Sequence, residues 1–348
     1  MTRSGPLRAA FRRFPPIARR DQKIATLQAR LSAASEVSAK QPSFQARLFA
    51  ENRIRAYERE TGKYPPSVIS RGKFGVLQLV SSHGVAIPEQ FGRWSNPSEI
   101  AWDDLPERVV LKADRGSTGR GVLPLRRVGD GWQVITHSTV LTPEQVAAEL
   151  RQRVEEKLIK GPFHAEGFLD DGDESGPLPC EVKAYAFYGE VPLLQVTRSD
   201  EHGNLNATRY RIVDARGSDL IDADTHPALD STVQVDPAHR LGRIDLTMPT
   251  PPRLDEVADT AARLSVAMRL PFARIDLYPL RDRVVFGEVT PRPGGRQWLG
   301  AELDTMLGES WERALARFSH DVAKGMSPEP QHGPHGDGVP DVFPSSLG

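Results

Sequence analysis

Two short runs, Phe272 to Leu280 and Val284 to Thr290, flank the tripeptide Arg281-Asp282-Arg283 and constrain the chain more than any other feature. Side chains alternate across a strand with period two. Arg274, Asp276, Tyr278, Phe286, Glu288 and Thr290 therefore share one face of the expected hairpin. Ala273, Ile275, Leu277, Val285, Gly287 and Val289 share the other, which reads as the core face. A turn centred on Asp282 pairs residues whose numbers sum to 564: Asp276 with Glu288, Arg274 with Thr290, Tyr278 with Phe286. A one-residue slip would mix polar and core faces. Opposed Cβ atoms lie about 4.5–5.5 Å apart, where like charges repel. Two acids there are tolerated if a cation bridges them, and Mg²⁺ suits: it takes oxygen ligands and uses one or two carboxylates plus phosphates. The competing reading is a solvated face on which Asp276 and Glu288 pair with Arg274 or Arg292.

A second signal is Val109-Val110-Leu111-Lys112 running into Arg115-Gly116-Ser117-Thr118-Gly119-Arg120-Gly121. An apolar strand ends in a lysine, and backbone N–H groups of such a loop can wrap phosphate oxygens. An ordinary glycine-rich hairpin turn looks the same. Neither G-x-x-x-x-G-K-[ST] nor G-x-G-x-x-G occurs, which removes the P-loop, dinucleotide and protein-kinase fingerprints. A third signal is His164-Ala165-Glu166-Gly167-Phe168-Leu169 followed by Asp170, Asp171 and Asp173. A strand that stops at an exposed segment offers backbone groups to a base edge and acids to ribose hydroxyls, although a plain strand end also fits.

The remaining elements are read from periodicity and caps. Residues 21–62 are helical in character, with Ser43 capping a helix whose apolar stripe is Phe44, Leu48, Ile54 and Tyr57. Lys73 to His83 is a helix and Gly84 to Pro88 a strand. Strands follow at Arg108–Lys112, Val122–Val128 and Trp132–Thr136. Thr142-Pro143-Glu144-Gln145 is a capping box opening a helix to about Lys157. Phe163–Leu169 is a strand, and Glu181–Tyr188 with Val191–Thr197 a hairpin around Gly189-Glu190. A strand at Thr208–Val213, a helix through Leu254 to Met268 and a helix from about Glu309 to Lys324 complete the set. The reading divides the chain into a basic arm (1–20), an N-terminal helical and small α/β lobe (21–105), two α+β units (106–169 and 170–325) and a disordered tail (326–348).

Composition excludes several classes. The 45 Lys+Arg and 46 Asp+Glu residues nearly cancel, so no whole-surface nucleic-acid footprint exists and no nucleic-acid partner is expected. The arm with Arg3, Arg8, Arg12, Arg13, Arg19 and Arg20 reads as solvated, a polyanion or membrane surface being the sharper alternative. One cysteine, Cys180, leaves no internal disulfide and no cysteine-based zinc cluster. No transmembrane run and no secretory signal is visible, so a cytoplasmic location is expected.

Taken in order, these segments resemble the ATP-grasp superfamily over about Ser70 to Gly308. They are most similar to its teichuronopeptide-biosynthesis (TupA-like) branch and more distantly to the D-alanine–D-alanine ligases. The pieces are Arg71-Gly72-Lys73, Val-Val-Leu-Lys112 with its glycine loop, Ala-Glu166-Gly-Phe-Leu169, Glu181-Val-Lys183, Ala-Arg274-Ile-Asp276-Leu-Tyr278 and Phe-Gly-Glu288-Val-Thr290-Pro-Arg292-Pro-Gly-Gly295. The last two are the most specific. The resemblance implies an α+β fold in which antiparallel sheets of two subdomains clamp ATP. It implies that Lys73 and Lys112 touch ATP phosphates, with Ser117, Thr118 and Gly119 in the phosphate loop. Glu166, Gly167, Phe168 and Leu169 would be the adenine hinge, and Lys183 would also reach phosphates. Asp276, Glu288 and Thr290 would bind Mg²⁺, Arg274 would stabilise the transferring phosphoryl group, and Arg292 would reach phosphate or substrate. Two departures stand out: Thr290 replaces a common metal-binding Asn, and Gly72 replaces the Asp that usually precedes the lysine.

The activity this implies is an ATP- and Mg²⁺-dependent carboxylate–amine ligase working through an acyl phosphate. Its substrates would be a small-molecule, glycan or peptide carboxylate and an amine, and a homodimer is compatible with it. A hydroxyl-directed phosphotransferase and a nucleotide-binding protein without turnover are the alternatives. No protein nucleophile is needed, and no triad is found; Ser70-Arg71-Gly72-Lys73 lacks the partners of an S-x-x-K enzyme.

Overall fold

The structure, a computed structural model, describes residues 42–62, 72–116, 121–135, 139–172, 178–199, 209–221, 243–293 and 300–335. In chain order the elements are α1 (Phe44–Thr61), α2 (Gly72–Ser82), β1 (Gln90–Trp94), β2 (Arg108–Gly116), β3 (Val122–Val128), β4 (Gly131–Val134), β5 (Val140–Leu141) and α3 (Pro143–Glu155). They continue with β6 (Ile159–Gly167), β7 (Glu181–Phe187), β8 (Glu190–Arg198), β9 (Arg209–Val213), β10 (Arg243–Ile244), α4 (Leu254–Ala267), β11 (Ala273–Pro279), β12 (Val284–Thr290) and α5 (Gly300–Ala323). The class is α+β, as expected.

Among the described residues two six-stranded sheets form, ordered β1-β6-β2-β3-β4-β5 and β10-β9-β8-β7-β11-β12. Every pairing is antiparallel except the short parallel one of β10 with β9. The first sheet buries Leu111, Leu125, Trp132 and Phe163 against Val146 and Leu150 of α3. Thr142 caps α3 with the predicted box. The second sheet is covered on both faces. On one, Val182, Ala184, Ile275 and Leu277 meet Leu79 of α2 and Val257, Ala261 and Leu264 of α4. On the other, Tyr185, Phe187 and Phe272 meet Phe44 and Leu48 of α1 and Leu307 and Trp311 of α5. Fully burying each such side chain is worth roughly 1.5–3 kcal/mol. Phe44 sits 5.0 Å from Phe272 and 5.6 Å from Trp311, centroid to centroid. This aromatic cluster covers only one end of its sheet face. Further along the same strands Lys183 pairs with Asp276 in the β7–β11 register.

Several expectations need correction. Gly84–Pro88 is not a strand: Ala86 makes one isolated parallel bridge to Val285, and the strand is β1. Helix α5 begins at Gly300 rather than near Glu309, because Leu303, Leu307, Trp311 and Ala314 form one continuous buried stripe. In α1, Phe44 and Leu48 are buried but Ile54 and Tyr57 are exposed. The true inward face continues at three- and four-residue spacing to Glu51 and Arg55, which are polar. The hairpin β7–β8 turns at Tyr188-Gly189, both at positive φ (43° and 93°), one residue earlier than read.

The tail from Met326 is not disordered throughout. Gly333 N–H donates to Ser82 Oγ at 2.8 Å and His335 N–H to Ser82 O at 3.0 Å. Gln331 N–H donates to Ala267 O at 3.1 Å, and its side-chain oxygen accepts from Arg269 at 3.1 Å. Residues 331–335 thus tie the end of α2 to the end of α4. Truncation after Lys324 is expected to cost about 1–2 kcal/mol, one or two net hydrogen bonds' worth, or a few degrees in the thermal midpoint. Truncation after His335 should leave the midpoint unchanged; equal midpoints for both truncations would show that the strap holds nothing. The basic arm lies outside the described residues. No described helix is long and apolar enough to cross a membrane.

Candidate active site

The hairpin β11–β12 pairs Arg274 with Thr290 and Asp276 with Glu288, as the alternation requires. Nearer the turn the register differs. Leu277 pairs with Phe286, Tyr278 with Val285 and Pro279 with Val284, so the turn is one residue tighter, closed by Leu280 N–H to Arg283 O at 2.9 Å. A bulge at Gly287 restores the register at the site. Phe286 consequently joins the core instead of facing Tyr278. Glycine is required there: a Cβ at Gly287 would lie 2.6 Å from the Tyr278 ring and 3.1 Å from Asp276 O.

Asp276 is 2% exposed and lies at the centre of a charged cluster. Its Oδ1 accepts from Arg274 Nε at 2.8 Å, and its Oδ2 from Arg274 Nη2 at 2.9 Å and Lys183 Nζ at 3.2 Å. Arg274 Nη2 also donates to Thr290 Oγ1 at 3.2 Å. Lys183 donates to Glu181, whose other oxygen accepts from Tyr278 Oη at 3.4 Å. Burial alone would push the Asp276 carboxyl up, but Lys183 and Arg274 outweigh it and hold its pKa below the usual value. Burial would likewise drain charge from Lys183 and Arg274, and the facing carboxylates keep both raised. Asp276, Lys183 and Arg274 are therefore ionised at neutral pH.

Beside it opens a cavity of about 340 Å³ between α2, the first sheet and β12. Lys73, Lys112, His164, Glu166, Glu288 and Arg55 are among its walls. Lys112 forms a close ion pair with Glu166, and the β2–β6 register places Lys112 opposite His164. Burial lowers the Lys73 pKa, with Glu288 opposing that fall. The α2 N-terminus is held by Asp114, whose Oδ1 accepts from the Lys73 and Phe74 N–H groups at 2.9 and 3.4 Å. Gly72 has φ +68°, and any Cβ there would collide with the Asp114 carboxylate. Asp114 of β2 thus supplies a carboxylate at the α2 N-terminus.

Burial, then Lys112, Lys73 and Arg93, push the His164 pKa down from 6.5 to about 3. The unfolded chain binds this proton below about 6.5 and the native chain does not until about 3, so stability falls as pH falls across that window. His164→Gln should flatten that part of the pH–stability curve; parallel curves for both proteins between pH 7 and 4 would contradict the assignment.

The cavity gathers Lys73, Lys112, Glu166 and Glu288 of the predicted site residues. Arg274, Asp276, Thr290 and Lys183 form the adjoining cluster. Arg292 pairs with Glu51 of α1 at 3.5 Å. Of the expected hinge only Glu166 lines the cavity: the Gly167 N–H is taken by Glu89 O at 2.8 Å, the Arg108 guanidinium lies 3.9 Å from the Phe168 ring centre, and Leu169 lies beyond the end of β6. Ser117, Thr118 and Gly119 lie outside the described residues, although Gly116 and Val122 on either side line the cavity. Sequence reasoning missed Asp114, Glu51 and Arg55, and noted His164 and Glu181 without a role of their own. No local motif marks the first three; their contacts come from other elements.

Asp276, Glu288 and Thr290 form an all-oxygen donor set, which suits Mg²⁺ shared with phosphates rather than a closed protein cage. Among the described residues no group of three or more His, Cys, Asp or Glu could hold a metal ion.

Residues 244–312 match the family model of TupA-like ATP-grasp proteins, the stretch that carries the Arg274, Asp276 and Glu288 motifs. No curated protein matches the chain. Among solved structures, the ATP-grasp ligase PsnB complexed with a phosphomimetic precursor variant, Mg and ADP is 14% identical, with a TM-score of 0.40 over 71% of this chain and 58% of that one. D-alanine–D-alanine ligase from Bacillus anthracis is 15% identical, with a TM-score of 0.43 over 73% and 68%. A RiPP-associated ATP-grasp ligase from Chryseobacterium gregarium, in complex with ADP and a leader and core peptide, is 13% identical, with a TM-score of 0.35 over 70% and 59%.

Proposed function

We propose that the protein is an ATP-dependent ligase that joins a carboxylate to an amine through an acyl phosphate. The observation that carries this reading is the row Arg274, Asp276, Glu288 and Thr290 on one strand face, beside a cavity holding Lys73 and Lys112. The TupA-like match over the same hairpin supports it.

Lys73 and Lys112 bind the phosphates of ATP as point charges. Lys112 leaves Glu166 to do so. Asp276 locks the Arg274 guanidinium through Nε and Nη2, so Nη1 is the edge offered to the transferring phosphoryl group. A substrate carboxylate oxygen attacks the γ-phosphorus, the bond to the β,γ-bridging oxygen breaks, and ADP leaves. The amine nitrogen then attacks the acyl carbon, phosphate leaves with the former carboxylate oxygen, and the amine loses a proton. The residues supply positioning and charge neutralisation, which is most of what phosphoryl transfer needs. Asp276 and Glu288 would hold Mg²⁺, with Thr290 beside them; when bound the ion neutralises phosphate charge. The acid and the amine are proposed from small-molecule, peptide or glycan precursors.

The test is ATP turnover across a panel of acid and amine pairs, with mass spectrometry of the product. ADP release that requires an acid, and a hydroxamate when hydroxylamine replaces the amine, are expected. A phosphorylated hydroxyl product would replace the ligase by a phosphotransferase.

A further inference from the structure

His164 lines the cavity and has no part in the proposed reaction. It is 2% exposed, and its Nε2 has no hydrogen-bond partner among the described residues. Buried polar atoms are normally partnered, and an exception calls for an explanation. The surroundings specify what is missing. Arg93 of β1 and Lys112 of β2 are the register partners of His164 on either side, and Lys73 of α2 adds a third cation. Among the described residues Glu166 is the acid near the ring, its Oε2 3.8 Å from Nε2 and beyond hydrogen-bond reach, so a neutral ring is free to carry its proton on Nε2 when an acceptor arrives. The ring shares the sheet face of Lys112, where positive charge is concentrated, and its Nε2 is covered while Lys112 is paired with Glu166.

We propose that His164 is a third, uncharged phosphate donor of this cavity, giving its Nε2–H to an oxygen of the polyphosphate that Lys73 and Lys112 neutralise. The inference rests on the nucleotide reading above and deepens it. A neutral imidazole fits this position for a physical reason. A further full charge beside three cations would repel them in the empty cavity, whereas a neutral N–H adds a directed bond without that cost. Its ring is fixed by burial in β6, so it also selects one orientation of the bound phosphates, which flexible lysine side chains do not.

Calorimetry on the full chain tests it with three probes: the β,γ-imido analogue of ATP, inorganic tripolyphosphate and adenosine. His164→Leu removes the donor and His164→Gln keeps an N–H at about the same reach. The expected result is roughly tenfold weaker binding of the analogue and of tripolyphosphate by His164→Leu. Adenosine binding should be unchanged, and His164→Gln should stay within about threefold of wild type. Analogue binding by a folded His164→Leu equal to wild type overturns the proposal. An equal loss for adenosine also overturns it, because His164 would then act on the nucleoside through Glu166. Should His164→Leu fail to fold, the ¹⁵N resonance of Nε2 in the wild type decides: tripolyphosphate must shift it and leave it protonated. Failure of the wild type to bind the analogue would instead remove the nucleotide reading itself.

Discussion

Asp276→Ala is expected to destabilise the protein by about 3–5 kcal/mol, the usual cost of breaking a buried ion pair from one side. The carboxylate is 2% exposed and accepts from both Arg274 and Lys183. Removing it leaves two cations on adjacent strands with Glu181 as their nearest countercharge. Lys183 loses the partner that opposes its desolvation, so its pKa drops, and Arg274 loses the grip that orients it. Asp276→Asn keeps the shape and one acceptor but not the charge, and should fall between the two. Urea unfolding measures both. A loss below about 1 kcal/mol for the alanine variant, the range of exposed ion pairs, would show that the cluster is well hydrated.

That cluster was partly legible in the sequence because it obeys local rules. Strand alternation puts Arg274, Asp276, Glu288 and Thr290 on one face whatever the rest of the chain does. The bulge at Gly287 was hidden because an extra residue leaves the pattern of residue types unchanged; only the two-residue turn in the structure reveals it. Its hint was a glycine within an apolar strand face. The second half of the site was less legible. Asp114 acts on the α2 terminus from a distant strand, and the inward face of α1 becomes polar where it reaches the cleft. Counting apolar residues along α1 therefore selected Ile54 and Tyr57, which are exposed, over Glu51 and Arg55.

Glu288→Gln should show the opposite pattern from Asp276→Ala: stability retained and turnover lost. Glu288 is exposed at the cavity wall and makes no hydrogen bond or ion pair among the described residues, so the fold does not depend on its charge. A change of less than about 0.5 kcal/mol is expected for such a surface position. The chemistry does depend on it. In the proposed reaction Glu288 is the metal-holding carboxylate not already engaged by a cation, whereas both Asp276 oxygens accept from Arg274 or Lys183. Losing that charge should reduce turnover by about 10²–10³-fold, the scale of removing one electrostatic stabiliser of a transition state. A second readout separates the metal from general electrostatics. Burial lowers the Lys73 pKa and Glu288 counteracts this, so in the glutamine variant Lys73 should lose its proton at lower pH. Without added metal, nucleotide affinity should then fade earlier on the alkaline side, while at neutral pH the loss appears mainly when Mg²⁺ is present. Wild-type turnover, or a defect independent of Mg²⁺, would leave Glu288 as a wall residue and withdraw the metal assignment from this hairpin.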